Sequence, residues 1–244
     1  MYLEAVTICV NYGDFLAQTL PRNKYLFNNY VIVTDTKDHF TKKICDTYNV
    51  RCIRTDVFYE NGEGFNKGEG INAGLDQLKK TDWVLHLDAD ICLLPDYKNT
   101  LKKKNLNPRK LYGLDRLMCN SYEDWLEIIA NPISIFNGIT NQYNLGGRFI
   151  DREQGYLPLG YHQLWNPIKG KSIYYPSNFT SADKSDIEFA KKWEKNDREL
   201  IPETFGVHLD SGNNKQSGIN WIGRKTPLFG PVKIDSNQNT EYYE

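Results

Sequence analysis

Apolar residues along the chain gather into short runs separated by polar, helix-like stretches. Glu4-Ala5-Val6-Thr7-Ile8-Cys9-Val10 predicts a first strand, closed by a turn at Asn11-Tyr12-Gly13-Asp14. Phe15 to Leu20 opens a helix. Tyr30 to Thr34 predicts a second strand ending at Asp35, followed by a polar helix from Asp38 to Tyr48 and a third strand from Val50 to Thr55. Gly62 to Gly70 is glycine-rich and reads as flexible. Ile71 to Lys80 carries Ile71, Leu75 and Leu78 at helical spacing. Trp83-Val84-Leu85-His86-Leu87 then has the length and character of a buried strand, and stops at Asp88-Ala89-Asp90. Strands alternating with helices predict an α/β chain whose central sheet is mostly parallel and flanked by helices. Ligands bind such sheets at the carboxyl ends of the strands. The Asn11–Asp14 turn, Asp35 and the Asp88/Asp90 pair all fall at such ends, so one shared crevice is expected.

The second half is less regular. Pro95 ends the central run, and Asp96 to Asn105 predicts a helix whose Lys102-Lys103-Lys104 end reads as a solvated C-terminus. Leu111 to Leu114 predicts a strand and Tyr122 to Ala130 a helix. From Asn131 to Pro176 the sequence is irregular, rich in Gly, Pro, Asn and aromatic residues. Tyr161, His162 and Trp165 lie in its densest part. As exposed aromatics they suit the apolar faces of sugar rings and are acceptor-binding candidates; the alternative is that they pack a loop-rich half. Ser181 to Trp193 predicts a capped helix with Asp183 and Asp186 on one face. Phe205-Gly206-Val207 leads like a strand into His208, and the glycines beyond it predict a mobile lid over residues 207–231. The expected organisation is a donor-binding half over 1–97, an acceptor-binding half with the lid over 98–231 of the same domain, and a polar tail over 232–244.

Charge changes this picture little. The net charge is −1, so no global field grips a polyanion. The five cysteines are scattered without metal-ligand spacing, which fits free thiols in a reducing compartment. No apolar run approaches the roughly 20 residues that span a bilayer. The opening MYLEAVTICV has no basic leader pattern. A cytoplasmic location without integral membrane contact is therefore expected.

The candidate chemistry begins at Asp88 and Asp90. Alternation along a strand points both carboxylates the same way, and a hard cation such as Mn²⁺ or Mg²⁺ removes their repulsion. Arg224 and Lys225 offer cations suited to a diphosphate.

Taken in order, these pieces resemble a glycosyltransferase of the GT-A fold, in the style of the family 2 enzymes. Asp88-Ala89-Asp90 matches the D-x-D motif, whose second Asp is the usual direct metal ligand. The first strand with Asn11 and Tyr12 resembles the loop that cradles the nucleotide base, and Asp35 the acid that contacts base or ribose. Asn66-Lys67-Gly68-Glu69-Gly70-Ile71-Asn72 is similar to the family's stretch before the metal motif, with shorter spacing after Gly68. The resemblance thus implies a GT-A-like, Rossmann-type sheet and donor contacts from Asn11, Tyr12, Asp35, Asn66, Lys67, Gly68, Asn72, Asp88, Arg224 and Lys225. It also implies a metal held by Asp90, Asp88 and His208, and a general base at Asp186, with Asp183 as the alternative.

The expected function is metal-dependent transfer of a sugar from a nucleoside diphosphate, UDP being the commonest carrier in this family, with inversion. The acceptor stays open among a glycan, a protein, a lipid-linked sugar and a modified nucleobase. Two other readings remain at this point: nucleotidyl transfer onto a sugar phosphate, and a nucleotide-sugar-binding module without catalysis.

Overall fold

A computed structural model describes residues 1–60, 64–130, 145–146, 149–151, 153, 155–179, 184–209 and 228–230. The first half follows the apolar pattern closely: β1 (Leu3–Ile8), α1 (Gly13–Asn23), β2 (Asn29–Thr34), α2 (His39–Thr47), β3 (Arg51–Arg54), α3 (Lys67–Leu75) and β4 (Trp83–Leu87). Polar caps fix the starts of α2 and α3. The Asp38 side chain accepts from the Thr41 backbone N–H at the start of α2, and the Asn66 side chain accepts from that of Glu69 at the start of α3. The Asn66 cap corrects one expectation. Lys67 to Gly70 is the first turn of α3, and the helix stops at Leu75 rather than Lys80. Its glycines serve close packing: a Cβ on Gly74 would lie 2.3 Å from Val6 Cγ2, so only glycine lets α3 lie on β1.

Beyond β4 the chain turns through 88–90 into β5 (Ile91–Leu93). It continues through α4 (Tyr97–Lys104), β6 (Leu111–Cys119), α5 (Tyr122–Ala130), β7 (Leu145–Gly146), β8 (Phe149–Asp151), β9 (Gly155–Leu157), β10 (His162–Trp165), α6 (Ser185–Ala190) and β11 (Arg198–Leu209). The main sheet has the order β3-β2-β1-β4-β10-β6-β11-β5, with β7 on β6; β8 and β9 form a separate hairpin. β3, β2, β1 and β4 are mutually parallel, β10 runs against both β4 and β6, and β11 lies parallel to β6 and antiparallel to β5. Thus β1 to β4, β6 and β11 share one direction. Strands from both halves form a single sheet. Pairing lapses in β11 between Leu200 and Phe205, where Pro202 has no N–H to give and Glu203 sits at φ 62°.

Both faces of the sheet are covered, as a sheet built on parallel strands requires. Leu3, Ala5, Leu85 and Leu87 pack on one side with Leu16 and Leu20 of α1. Val6, Val31, Val33 and Val84 pack on the other with Ile71 and Leu75 of α3. Among the described residues no helix is long and apolar enough to cross a membrane. All five cysteines are free thiols.

Candidate functional site

Because β1 to β4, β6 and β11 run one way, their carboxyl ends line one edge of the sheet. Asn11, Asp35 and Asp56 follow β1, β2 and β3 there. Together with Thr36, Lys37, Tyr59 and Glu60 they line a cleft of about 650 Å³. Asn11 holds the left-handed conformation, φ 57°. Its N–H donates to Asp38 Oδ2 at 2.8 Å, so the α2 cap also fixes the β1 turn. Asp35 Oδ1 accepts from the Lys37 N–H at 2.7 Å. Of the residues expected in one crevice, Asn11 and Asp35 share this cleft, while Asp14, Asp88 and Asp90 are not among its lining residues. Tyr12 stacks on Phe15, centroids 5.4 Å apart, and is not among the lining residues. The cleft is acidic: Asp35, Asp56 and Glu60 face it with Lys37. Such a lining accepts hydrogen bonds from hydroxyl and amino groups better than it holds phosphate.

Next along the edge come the two acids after β4. They lie in the turn 88–90, not in a strand, so strand alternation does not govern them and each takes its own partner. Asp88 Oδ1 is 2.7 Å from Lys67 Nζ, and Asp90 Oδ2 is 3.3 Å from His208 Nε2. β5 makes the second contact possible, since its pairing with β11 sets His208 opposite Ile91. Burial, with the neighbouring Asp90 and Asp186 charges, raises the Asp88 carboxyl above its ordinary value despite Lys67. Burial also acts upward on Asp90, but its interaction and hydrogen bond with His208, together with Lys67 and a backbone hydrogen bond, hold this acid low. Burial alone would lower the Lys67 ammonium, but the surrounding carboxylates, Asp88 first, hold it above its ordinary value.

Asp186 opens α6 on the same cluster, and Lys67 acts on it electrostatically. Its Oδ2 accepts from the Gly160 N–H at 2.6 Å and its Oδ1 from the Ile187 N–H at 2.8 Å. Burial raises its carboxyl above the ordinary value. An acid so held is oriented, and it takes a proton more readily than a solvated aspartate does.

Among the described residues no group of three His, Cys, Asp or Glu side chains stands ready around a common metal position. Asp90 nonetheless fits the role: its Oδ1 is buried without a hydrogen-bond partner, the condition of an oxygen that a cation would satisfy. His208 fits after one rearrangement. Its Nδ1 lies 2.7 Å from Arg116 Nη1, and a guanidinium only donates, so the neutral ring carries its proton on Nε2, toward Asp90. To ligate through Nε2, that proton has to move to Nδ1 and the Arg116 contact has to open. Arg116 also stacks over Tyr161, 4.7 Å from the ring centroid. It was missed because the sequence pattern ended its strand at Leu114, two residues short. The available signal was a charge inside the apolar run Leu111–Cys119, since a charge in such a run needs a partner.

Several expectations need correction. Asn66, Gly68 and Asn72 bind the chain's own segment 175–177 rather than facing the cleft. Asn66 Nδ2 donates to Ser177 O at 2.6 Å, and Asn72 exchanges hydrogen bonds with the Tyr175 backbone. A Cβ on Gly68 would lie 2.2 Å from Pro176 O. Of that stretch only Lys67 reaches the acids. Tyr161, His162 and Trp165 are not exposed aromatics: they are 5%, 0% and 0% accessible. His162 and Trp165 belong to β10, between β4 and β6, with Trp165 against Phe189 and His162 bonded to Tyr97 Oη. Tyr161 is tied to the site through Arg116, through its stack with His208 and through its carbonyl, which accepts from the Asp88 N–H at 3.2 Å. Asp183, Arg224, Lys225 and residues 210–227 of the expected lid lie outside the described residues.

No protein-family model matches the chain. No curated protein sequence matches it either. Solved structures do. Glucosyl-3-phosphoglycerate synthase from Mycobacterium tuberculosis, in complex with Mn²⁺, UDP-glucose and phosphoglyceric acid, superposes with a TM-score of 0.50 at 12% identity, over 85% of this chain and 71% of that one. The same enzyme with Mn²⁺, UDP and glucosyl-3-phosphoglycerate gives 0.48 at 13% identity, over 93% and 73%. Mannosyl-3-phosphoglycerate synthase from Rubrobacter xylanophilus gives 0.38 at 16% identity; that match covers 48% of this chain and only 41% of that protein's length. At such identities the likeness is one of fold, and the fold is the expected GT-A-like one: a mostly parallel sheet flanked by helices.

Proposed function

We propose that this protein transfers a sugar from a nucleoside diphosphate to an acceptor hydroxyl, with Mn²⁺ or Mg²⁺ bound. One observation carries the reading: Asp88 on Lys67, Asp90 on His208, and Asp186 within the Lys67 field stand together on the sheet edge that also bears the acidic cleft. The GT-A-like fold supports it, as do the Mn²⁺ and UDP-glucose bound by the superposing glucosyl-3-phosphoglycerate synthase. Asn11, Asp35, Asp56 and Glu60 accept hydrogen bonds from the base and ribose. Lys67 steadies Asp88 and adds positive charge where a diphosphate would lie. Asp90 and His208, with Asp88, would hold the cation, which when bound would supply charge against the departing diphosphate. Asp186 takes the proton of the acceptor hydroxyl on the opposite side of the sugar, which inverts the anomeric carbon.

The test is donor turnover. UDP-glucose and other nucleotide sugars are incubated with the protein and Mn²⁺, alone and with acceptors that include phosphoglyceric acid. Nucleoside diphosphate with free or transferred sugar is the expected product. Pyrophosphate would indicate nucleotidyl transfer, and no product at all with tight donor binding a binding module. Asp90→Asn should abolish cation-dependent turnover, and full turnover in EDTA would refute the metal role. Asp186→Asn should lower kcat about a hundredfold with donor affinity unchanged. Retained anomeric configuration in the product, read by NMR, would refute inversion.

A further inference from the structure

Behind the acids lies a buried polar chain whose proton positions follow from counting donors. Gln163 is fully buried on β10. Its side-chain nitrogen donates to Pro158 O at 2.7 Å and to Asp186 O at 2.9 Å. Two carbonyls at one atom identify it as the amide nitrogen and use both of its hydrogens. Gln163 Oε1 therefore faces Tyr175 as an acceptor, and the single Tyr175 hydroxyl proton is committed to it. On its other side the Tyr175 oxygen can only accept. The atom there is His86 Nδ1, at 3.2 Å, so His86 carries its proton on Nδ1.

The other imidazole nitrogen, His86 Nε2, is buried and without a hydrogen-bond partner. It points toward Asp88 Oδ1 at 3.7 Å, beyond hydrogen-bond length. A proton on it would be left unsatisfied in the interior. His86 thus turns a bare lone pair toward a carboxylate, an arrangement that only a positive group between or beside them makes favourable. Lys67 Nζ, 2.7 Å from that same oxygen, is such a group.

We propose that Gln163 and Tyr175 are positioning residues that fix the tautomer of His86, so that Asp88 receives no hydrogen bond from the imidazole and stays available to cations. What this availability serves rests on the transferase reading; the tautomer itself does not. The chain also ties both acids to one frame. Gln163 holds the Asp186 main chain on one side and, through Tyr175 and His86, backs Asp88 on the other. The paired devices have opposite sense. Arg116 gives His208 its proton on Nε2, toward Asp90, whereas Tyr175 gives His86 its proton on Nδ1, away from Asp88.

The test is long-range ¹H–¹⁵N correlation of the imidazoles in uniformly labelled protein. The chain has four histidines, and His86→Gln assigns the signal by its loss. The wild type should show His86 as the Nδ1–H form. In Gln163→Leu the Tyr175 hydroxyl is released to donate to Nδ1, and His86 should switch to Nε2–H; Tyr175→Phe should do the same by removing the acceptor. An Nε2–H form in the wild type, or Nδ1–H in whichever of these variants folds, would overturn the proposal. Mn²⁺ titration followed by EPR reads the consequence. The switched variants should bind Mn²⁺ about tenfold more weakly, because the imidazole then competes for Asp88. Unchanged affinity in a variant whose tautomer has switched would overturn the positioning role. If the wild type binds no Mn²⁺, the metal-dependent transferase reading fails, while the spectrum still decides the tautomer.

Discussion

Replacing Asp38 by alanine should destabilise the protein far more than the loss of a helix cap. The carboxylate is 6% exposed and joins three elements. Oδ1 accepts from the Thr41 N–H at 2.9 Å. Oδ2 accepts from the Asn11 N–H at 2.8 Å, the Thr34 hydroxyl at 3.1 Å and the Thr41 hydroxyl at 2.7 Å. The hydroxyls can turn to other acceptors. The buried Thr41 N–H cannot, and left without a partner it costs about 1–3 kcal/mol. Asn11 is exposed at the cleft, so its N–H can turn to water, but the residue loses the anchor that holds it at positive φ, where a non-glycine residue is strained by about 1 kcal/mol. The expected loss is about 3 kcal/mol, against about 1 kcal/mol for a cap alone.

Urea unfolding measures it. With a slope near 2 kcal/mol/M, the Asp38→Ala midpoint should fall by about 1.5 M. Asp38→Asn, which keeps one accepting oxygen, should lie between the two proteins. Because Asn11 lines the cleft, Asp38→Asn should also weaken binding of UDP with Mn²⁺, measured calorimetrically. A loss of 1 kcal/mol or less for Asp38→Ala would refute the reasoning, since it would mean that Asp38 caps α2 and does not secure the β1 turn.

Three further outcomes follow from the geometry. Burial holds the His162 imidazole down to about 3 from 6.5, so between those values the unfolded chain binds a proton that the folded one refuses. Stability is then full above about pH 6.5 and falls by about 1.4 kcal/mol per pH unit below it. His162→Gln should flatten the stability slope between about pH 4 and 6 by that amount, and equal slopes would refute it. Gly68→Ala drives a Cβ to 2.2 Å from the rigid Pro176 carbonyl; it should lower stability by about 2 kcal/mol and expose the 175–177 segment to protease, and wild-type resistance would refute the contact. Arg116→Gln offers His208 Nδ1 an acceptor in place of a donor; it should raise Mn²⁺ affinity about tenfold, and weaker binding would show that the Arg116 contact does not oppose the metal.

The first half was legible because β1, β2 and β4 are local apolar runs and α2 begins at a polar cap. Val6, Val31 and Val84 declare buried strands without help from distant residues. Asp38 could be read as a helix start, whereas Asn66 fell in a stretch read as flexible; what else either holds could not be read, since their partners Asn11 and Ser177 are remote in sequence. β10 shows the opposite case. His162-Gln163-Leu164-Trp165 becomes a strand only because β4 and β6 pair with it on either side; locally it is a cluster of aromatics beside glycine and proline. The expectation that Tyr161, His162 and Trp165 are exposed failed for that reason. The D-x-D pair was found, yet its geometry was misjudged because the chain leaves the strand at Leu87.

That departure from the strand bears on how the site could work. Had Asp88 and Asp90 projected side by side from β4, the two charges would have met one partner in one place. The turn separates their duties instead: Asp88 is committed to the ammonium of Lys67, and Asp90, with one oxygen on His208, keeps the other unsatisfied. Among the described residues the cluster holds three carboxylates, Asp88, Asp90 and Asp186, against the fixed positive charges of Lys67 and Arg116. With all three ionised, that is an excess of one negative charge, which favours a divalent cation over a diphosphate. On the proposed transferase reading, a bound divalent cation would reverse that sign to one positive charge, and the loaded cluster would attract the diphosphate it otherwise repels. Charge alone thus favours an order in which the metal arrives before the donor or together with it. Lys67 sharpens that order, because without its charge the loaded site would be neutral and would give a diphosphate little reason to stay.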